Sequence, residues 1–364
     1  MSSALPLRAE LRDARPYGAP ELTVPVRLNV NENPYGPSPQ VAAEMANVVR
    51  VIAGTLNRYP DRDALALRRD LAGYLGHGLT ANRIWAGNGS NEVMLHVLQA
   101  FGGPGRSVLS FEPTYSMYPE YARSTSTRWV GAQRSSDFSV DPDRAVEAVR
   151  AEQPTVTLLA SPNNPTGTAL PLTVVEAICC ASPGVVVVDE AYAEFRRSGV
   201  RSAVSLLDDF PRLAVARTMS KAFSLAGLRL GYLAASSELV DALKLVRLPY
   251  HLSSTTQAFA RVALAHATEM LATVDCLRDE RDDLVGWLRS SGFRAADSDA
   301  NFVLFGTFAD AHAVWQGLLD RGVLVRETTV PGWLRVSVGT PADMAAFRSA
   351  LGSVTVVRRE GHES

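Results

Sequence analysis

The chain has 364 residues, 46% of them hydrophobic and 20% charged, a size and balance that suit two globular domains, or one large one, with a sizeable core. A formal net charge of -2, with no basic stretch carrying interleaved aromatics, excludes a broad nucleic-acid surface. No apolar run approaches the roughly 18 residues that a membrane span needs, the first residues lack the apolar core of a signal peptide, and the three cysteines show no ligand spacing and read as reduced thiols. A cytoplasmic protein is expected.

In chain order, residues 1–35 are rich in Pro, Asn and Gly and read as an arm that contributes to a smaller domain. Residues 36–248 form the expected large domain. Within it, short apolar runs at 83–87, 107–112, 155–160, 184–189, 213–218 and 230–234 read as strands. Amphipathic stretches at 63–75, 90–101, 142–151 and 171–181 read as helices between them. Thr155 to Ala160 and Val185 to Val188 lack alternation, as strands covered on both faces do. Strands alternating with helices predict βαβ units, hence an α/β fold whose sheet is mainly parallel and sandwiched by helices. After Leu248-Pro249-Tyr250 the pattern changes. A long helical segment at about 254–291 precedes a strand at 301–305, a helix at 310–321 and strands at 323–326 and 333–337. Residues 249–356 are therefore expected to form a smaller α+β domain, and 357–364 a tail.

Only two lysines, Lys221 and Lys244, occur among 36 basic residues. Lys221 lies in Arg-Thr-Met-Ser-Lys-Ala-Phe, between a strand-like run and a Gly-rich segment. A lysine does covalent carbonyl chemistry only where burial or a neighbouring cation lowers its pKa, and this is the one lysine with such a setting. Three polar clusters each follow a predicted strand: Ser161-Pro-Asn-Asn164-Pro-Thr-Gly, Asp189-Glu-Ala-Tyr192 and Thr218-Met-Ser220-Lys221. Alone, each is an ordinary turn or cap sequence. In an open α/β sheet, however, ligands bind beyond the carboxyl ends of the strands, so the three should converge on one crevice.

A pyridoxal 5'-phosphate (PLP) site uses all of them. Lys221 supplies the amine that bonds the cofactor aldehyde and later moves the substrate proton, and Asp189 pairs with the pyridine nitrogen. Tyr192 and Asn164 bond the 3'-oxygen, and Tyr115 stacks on the ring. The turn Gly87-Asn-Gly-Ser90-Asn91 opens a helix whose free amides suit a phosphate, with Thr218, Ser220 and Arg229 completing the cradle. Six scattered histidines give no metal site, no Gly-x-Ser-x-Gly elbow is present, and Gly102-Gly-Pro-Gly105 is a loop.

The same clusters carry a resemblance. Ser-Pro-Asn-Asn-Pro-Thr-Gly, Asp-Glu-Ala-Tyr, Ser-Lys-Ala-Phe and Gly-Leu-Arg-Leu-Gly-Tyr, in that order, resemble the fold-type I PLP-dependent aminotransferases. Leu28-Asn-Val-Asn-Glu-Asn-Pro34, Asn57-Arg-Tyr-Pro60, Arg247-Leu-Pro-Tyr-His-Leu-Ser253 and Ala300-Asn-Phe302 are similar to signatures of the histidinol-phosphate aminotransferase family. The resemblance runs from Tyr17 to about Leu351. It implies ping-pong transamination between histidinol phosphate with 2-oxoglutarate and imidazole acetol phosphate with glutamate, in a homodimer where Tyr59 reaches the partner's cofactor phosphate. It further implies that Arg335 and Arg326 bind the substrate's anionic groups, with Tyr17, Asn91, Tyr115 and Tyr250 lining the pocket. The loop before Trp333 departs from the family pattern, so Trp333 is expected to shape that pocket. Rival readings are an aromatic amino-acid aminotransferase, a threonine-phosphate decarboxylase and a non-catalytic cofactor sensor.

Overall fold

A computed structural model describes residues 5–8, 11–12, 16, 18 and 20–354. The chain enters through β1 (Val26–Arg27), followed by helices α1 (Pro39–Ala53) and α2 (Leu65–Leu75). Then come β2 (Ile84–Gly87), α3 (Ser90–Phe101), β3 (Ser107–Glu112), α4 (Met117–Ser124), β4 (Arg128–Gln133), α5 (Pro142–Glu152), β5 (Val156–Ala160), α6 (Leu172–Ala181), β6 (Val185–Asp189), β7 (Leu213–Thr218), β8 (Gly231–Ala234) and α7 (Ser237–Lys244).

These strands form one seven-stranded sheet in the order β2-β8-β7-β6-β5-β3-β4, parallel from β7 to β4, with β8 antiparallel to both its neighbours. Successive side chains of β6 leave on opposite faces, and both faces are covered. Val186 and Val188 join a core built with α1, α2, α5 and α6, whereas Val185 and Val187 join one built with α3, α4 and α7. This explains why β5 and β6 read as uninterrupted apolar runs. β4 escaped the sequence reading because it is the edge strand, and its residues Arg128–Gln133 are all exposed or only part-buried.

The carboxyl-terminal part continues through α8 (Ser254–Ala265), α9 (Ala267–Met270), α10 (Thr273–Ser290), β9 (Arg294–Ala295), β10 (Phe302–Gly306), α11 (Ala311–Leu319), β11 (Val323–Leu324), β12 (Arg326–Glu327), β13 (Trp333–Ser337) and α12 (Pro341–Ser353). The expected single helix over 254–291 is thus three helices. The chain turns at His266, whose imidazole nitrogen lies 2.7 Å from the Glu44 carboxylate of α1. Leu252, Ala260, Val262, Ala263 and Met270 pack into the core of the large sheet. Leu284, Val285 and Leu288 of α10 join the core of the smaller sheet instead. The expected strand 323–326 also divides: β11 pairs in parallel with β1, and β12 pairs antiparallel with β13. The four-stranded sheet β12-β13-β10-β9 is backed by apolar residues of α10, α11 and α12. A capping box between Thr340 and Asp343 opens α12.

Behind the carboxyl edge of the large sheet lies a buried ionic cluster. Glu190 accepts from Arg217 at 2.7 Å, Arg196 at 3.2 Å, Ser202 at 2.7 Å and the Ala203 amide at 2.8 Å. Burial alone would raise this carboxyl, yet Arg217 and Arg196 together hold it below its ordinary value. Removing one partner strands a buried charge. Arg217→Met should therefore lower stability by about 3–5 kcal/mol, read as a fall in the urea midpoint. The double variant Arg217→Met/Glu190→Gln should lose less than the two single losses combined.

Candidate active site

The carboxyl ends of β5, β6 and β7 open onto a cavity of about 670 Å³. Its lining holds Ser90, Asn91, Tyr115, Asn164, Asp189, Tyr192, Thr218, Ser220, Lys221, Arg229, Arg326 and Arg335. The clusters that follow separate strands in sequence thus meet in one crevice, as the topology requires.

Lys221 sits just past β7. Its turn is held by the Met219 amide on the Leu230 carbonyl (3.0 Å) and the Leu225 amide on the Met219 carbonyl (3.1 Å). Nζ donates to the Val30 carbonyl at 3.0 Å and lies 6.0 Å from the centre of the Tyr192 ring. Burial, aided by the positive charges of Arg335 and Arg229, pushes the amine down to about 8, against an opposing pull from Glu32. The carbonyl contact comes from the amino-terminal segment, an acceptor that no side-chain motif announces.

Asp189, the last residue of β6, is buried. Its Oδ1 accepts from the Ala191 amide at 3.1 Å and its Oδ2 from the Tyr118 hydroxyl at 3.1 Å. Burial raises its carboxyl to about 6, against those two donors. Among the described residues no lysine or arginine forms an ion pair with it, so its charge suits a cation carried by a ligand.

Tyr192 lies between these two groups and the smaller sheet. Its hydroxyl accepts from Asn31 Nδ2 at 3.1 Å and from Asn164 Nδ2 at 3.5 Å. Asn164 Oδ1 accepts from Arg335 at 2.5 Å, and Arg335 donates also to the Asn29 carbonyl at 2.8 Å. Arg335 comes from β13 and sits 5.2 Å from the Phe302 ring centre, so the buried guanidinium has both hydrogen bonds and an aromatic face.

At another part of the lining, α3 starts at Ser90 behind Gly89, whose φ of 86° favours glycine. A Cβ on Gly89 would stand 2.5 Å from the Arg229 guanidinium, and one on Gly231 would stand 2.1 Å from the Ser90 amide nitrogen. Two glycines therefore let Arg229 and β8 close against the helix start. Arg229 donates to Ser220 Oγ at 3.4 Å, and Thr218 Oγ1 lies 3.0 Å from the same oxygen. Hydroxyls, a guanidinium and helix-start amides in one place form an anion cradle.

These residues fit PLP on their own chemistry: a part-buried amine held near 8, a buried carboxylate with no ion-pairing cation among the described residues, phenol and amide groups, and an anion cradle. Among the described residues no cluster of His, Cys, Asp and Glu could hold a metal ion, and no helix is long and apolar enough to cross a membrane.

Tyr115 lines the cavity and its hydroxyl donates to Asn91 Oδ1 at 3.4 Å. Tyr59 and Tyr250 do not line it within this chain. They stack on each other, 4.5 Å apart at 15°, and Tyr59 is 81% exposed. Tyr17 lies outside the described residues. Trp333 does not shape the cavity either: it is buried edge-on against Phe138 at 5.4 Å with Arg294 over its ring, where it joins the two sheets. Thr328 and Thr329 of the same loop line the cavity instead. Reading the sequence missed Tyr118 and the role of Asn31. Tyr115, Tyr118 and Tyr121 recur every third residue, a helical spacing that signals core rather than chemistry.

Comparison with known proteins agrees with this geometry. The family model described as aminotransferase class I and II matches residues 23–351. A histidinol-phosphate aminotransferase of Thermobifida fusca is 62% identical over 351 residues, covering 96% of both chains. One from Burkholderia lata is 60% identical over 353 residues, covering 96% of this chain and 95% of the relative. The crystal structure of histidinol-phosphate aminotransferase from Sinorhizobium meliloti in complex with pyridoxal-5'-phosphate superposes with a TM-score of 0.85 at 25% identity, over 97% of this chain and 98% of the other. A mutant aspartate aminotransferase of Thermus thermophilus reaches 0.80 at 25% identity, over 96% and 98%. On the matched length, the identity and the shared fold, this chain belongs to the aminotransferase class I and II family and, within it, to the histidinol-phosphate aminotransferases.

Proposed function

We propose that this protein is a PLP-dependent aminotransferase that moves an amino group between histidinol phosphate and 2-oxoglutarate, giving imidazole acetol phosphate and glutamate, and the reverse. The observation that carries this reading is the single cavity that brings Lys221, Asp189, the anion cradle, Arg326 and Arg335 together. When bound, PLP supplies an aldehyde that bonds amines and a ring that accepts the electron pair left at the substrate Cα. Lys221 Nζ, with its pKa lowered to about 8, is neutral in useful measure near neutral pH; it would bond the aldehyde and, when freed by the substrate amine, would take and return the Cα proton. Asp189, ionised above about pH 6, would keep the proton on the ring nitrogen. Tyr192 and Asn164 would hold the 3'-oxygen, and the Ser90 and Asn91 amides with Thr218, Ser220 and Arg229 would hold the phosphate.

Arg335 and Arg326 give the rest of the cavity its affinity for anions. A guanidinium fork grips a carboxylate or a phosphate equally well in geometry. The same pair therefore serves glutamate in one half-reaction and the phosphorylated substrate in the other. The active form is a homodimer. Val51, Leu56, Tyr59, Leu245, Leu248 and Tyr250 are large apolar side chains exposed on this chain, and burying them against a second copy would carry Tyr59 to the partner's phosphate. The site of action is the cytoplasm.

A donor panel on the purified protein, followed through the cofactor spectrum, tests the reading. Histidinol phosphate and glutamate should both convert the cofactor, and phenylalanine, aspartate and phosphothreonine should do so far more slowly, with no carbon dioxide released. A preference for phenylalanine would make it an aromatic aminotransferase. Lys221→Ala should abolish turnover, and borohydride, which fixes lysine-bound cofactor to the wild type, should leave none attached to the variant by mass spectrometry.

The pH dependence follows from the lysine. Below its pKa the amine is protonated and cannot attack. The rate of covalent PLP capture by cofactor-free protein should therefore climb roughly tenfold per pH unit and level off above about 8. Arg335→Met removes a neighbouring positive charge, so the midpoint should move upward. The same variant should raise the KM for glutamate by roughly two orders of magnitude, as expected when a buried two-pronged ion pair is lost.

A further inference from the structure

We propose that Tyr118 is a positioning residue for the proposed cofactor site: its hydroxyl holds the Asp189 carboxylate ionised and aimed at the cavity. The inference rests on the PLP reading of the site. The Asp189 carboxylate has two neutral donors, one on each oxygen: the Ala191 amide on Oδ1 and the Tyr118 hydroxyl on Oδ2, each at 3.1 Å. The amide belongs to the turn that follows β6 and comes with the backbone. The hydroxyl belongs to α4, a separate element packed on the sheet face from which Val185, Val187 and Asp189 leave, and its residue is wholly buried.

The surrounding charges do not substitute for it. Glu190, next in sequence, opposes ionisation of Asp189. Tyr115 and Tyr121 flank Tyr118 within its own segment at ring separations of 5.6 and 6.4 Å. Arg134, beyond β4, influences Tyr118 but spends its donors on the Phe111 and Phe138 carbonyls. Lys221 lines the same cavity and is bonded to the Val30 carbonyl. Tyr118 itself stays protonated, since burial and the Asp189 charge raise its phenol far above the ordinary range. It is a permanent donor. Without it, Oδ2 would be a buried acceptor with no donor, and the carboxyl would keep its proton to higher pH, which leaves less of it to pair with a pyridinium near pH 6.

Tyr118→Phe deletes the hydroxyl and keeps the ring that packs in the core. In cofactor-free protein labelled with carbon-13 aspartate, difference infrared titration follows the carboxyl, with Asp189→Asn identifying its band. The wild-type midpoint near 6 should rise by about one pH unit in Tyr118→Phe, the effect of one lost hydrogen bond. Substituting 3-fluorotyrosine at 118, a stronger donor of almost the same shape, should move it down. Fluorescence titration with PLP should find the Phe variant weaker by about fivefold at pH 6 and within about twofold of wild type at pH 8.5, because Asp189 is ionised in both proteins there. Tyr121→Phe, a neighbouring buried phenol not bonded to Asp189, should change neither readout. An unmoved carboxyl midpoint, or an affinity deficit equal at both pH values, overturns the assignment. Failure of the wild type to bind PLP would instead refute the site reading, and the carboxyl titration would still decide the role of Tyr118.

Discussion

An amine that must attack a carbonyl has to shed its proton, and in this protein that requirement is met by burial at the edge of a parallel sheet. Lys221 is part-buried and feels the positive charges of Arg335 and Arg229, and its Nζ donates to the Val30 carbonyl. The sheet supplies that position: β7 delivers the lysine, β6 the carboxylate and β5 the asparagine, all from the same edge. Because the strands are parallel, their carboxyl ends point one way, and short turns suffice to bring the groups together.

The end of β6 shows how neighbouring acids are given opposite characters. Asp189 and Glu190 are adjacent and both buried, yet Glu190 turns to the rear, where Arg217 and Arg196 neutralise it, while Asp189 turns to the cavity with neutral donors only. One carboxyl is held below its ordinary range and the other is lifted to about 6. The rear acid is structural. The front acid is left with an unspent charge, and that imbalance is what a cationic ring can use.

Much of this was legible in the residues themselves. The buried strands betray themselves by continuous apolar runs, and the chemistry by polar clusters placed after them. What escaped reading was of another kind. β4 was missed because an edge strand half in water carries no run of apolar residues, and the break at His266 because it depends on a distant contact with Glu44. Tyr118 hid inside a helical tyrosine repeat, and its bond to Asp189 crosses between elements that only folding brings together. Trp333 looked like a pocket residue from its position between two arginines. Position along the strand decides otherwise: Arg335 and Arg326 are cross-strand partners and reach the cavity, while Trp333, two residues before Arg335 on the same face, packs on Phe138.

The pairing of β1 with β11 has a further consequence for how the molecule comes into being. Val26 can find Val323 only after β11 has left the ribosome, and Val30 and Asn29, a few residues on, are the acceptors for Lys221 and Arg335. A nascent chain can therefore build its large sheet early and still lack a finished reactive centre. The charge of Arg335, which helps to lower the proton affinity of Lys221, joins the cavity only once β13 has been made.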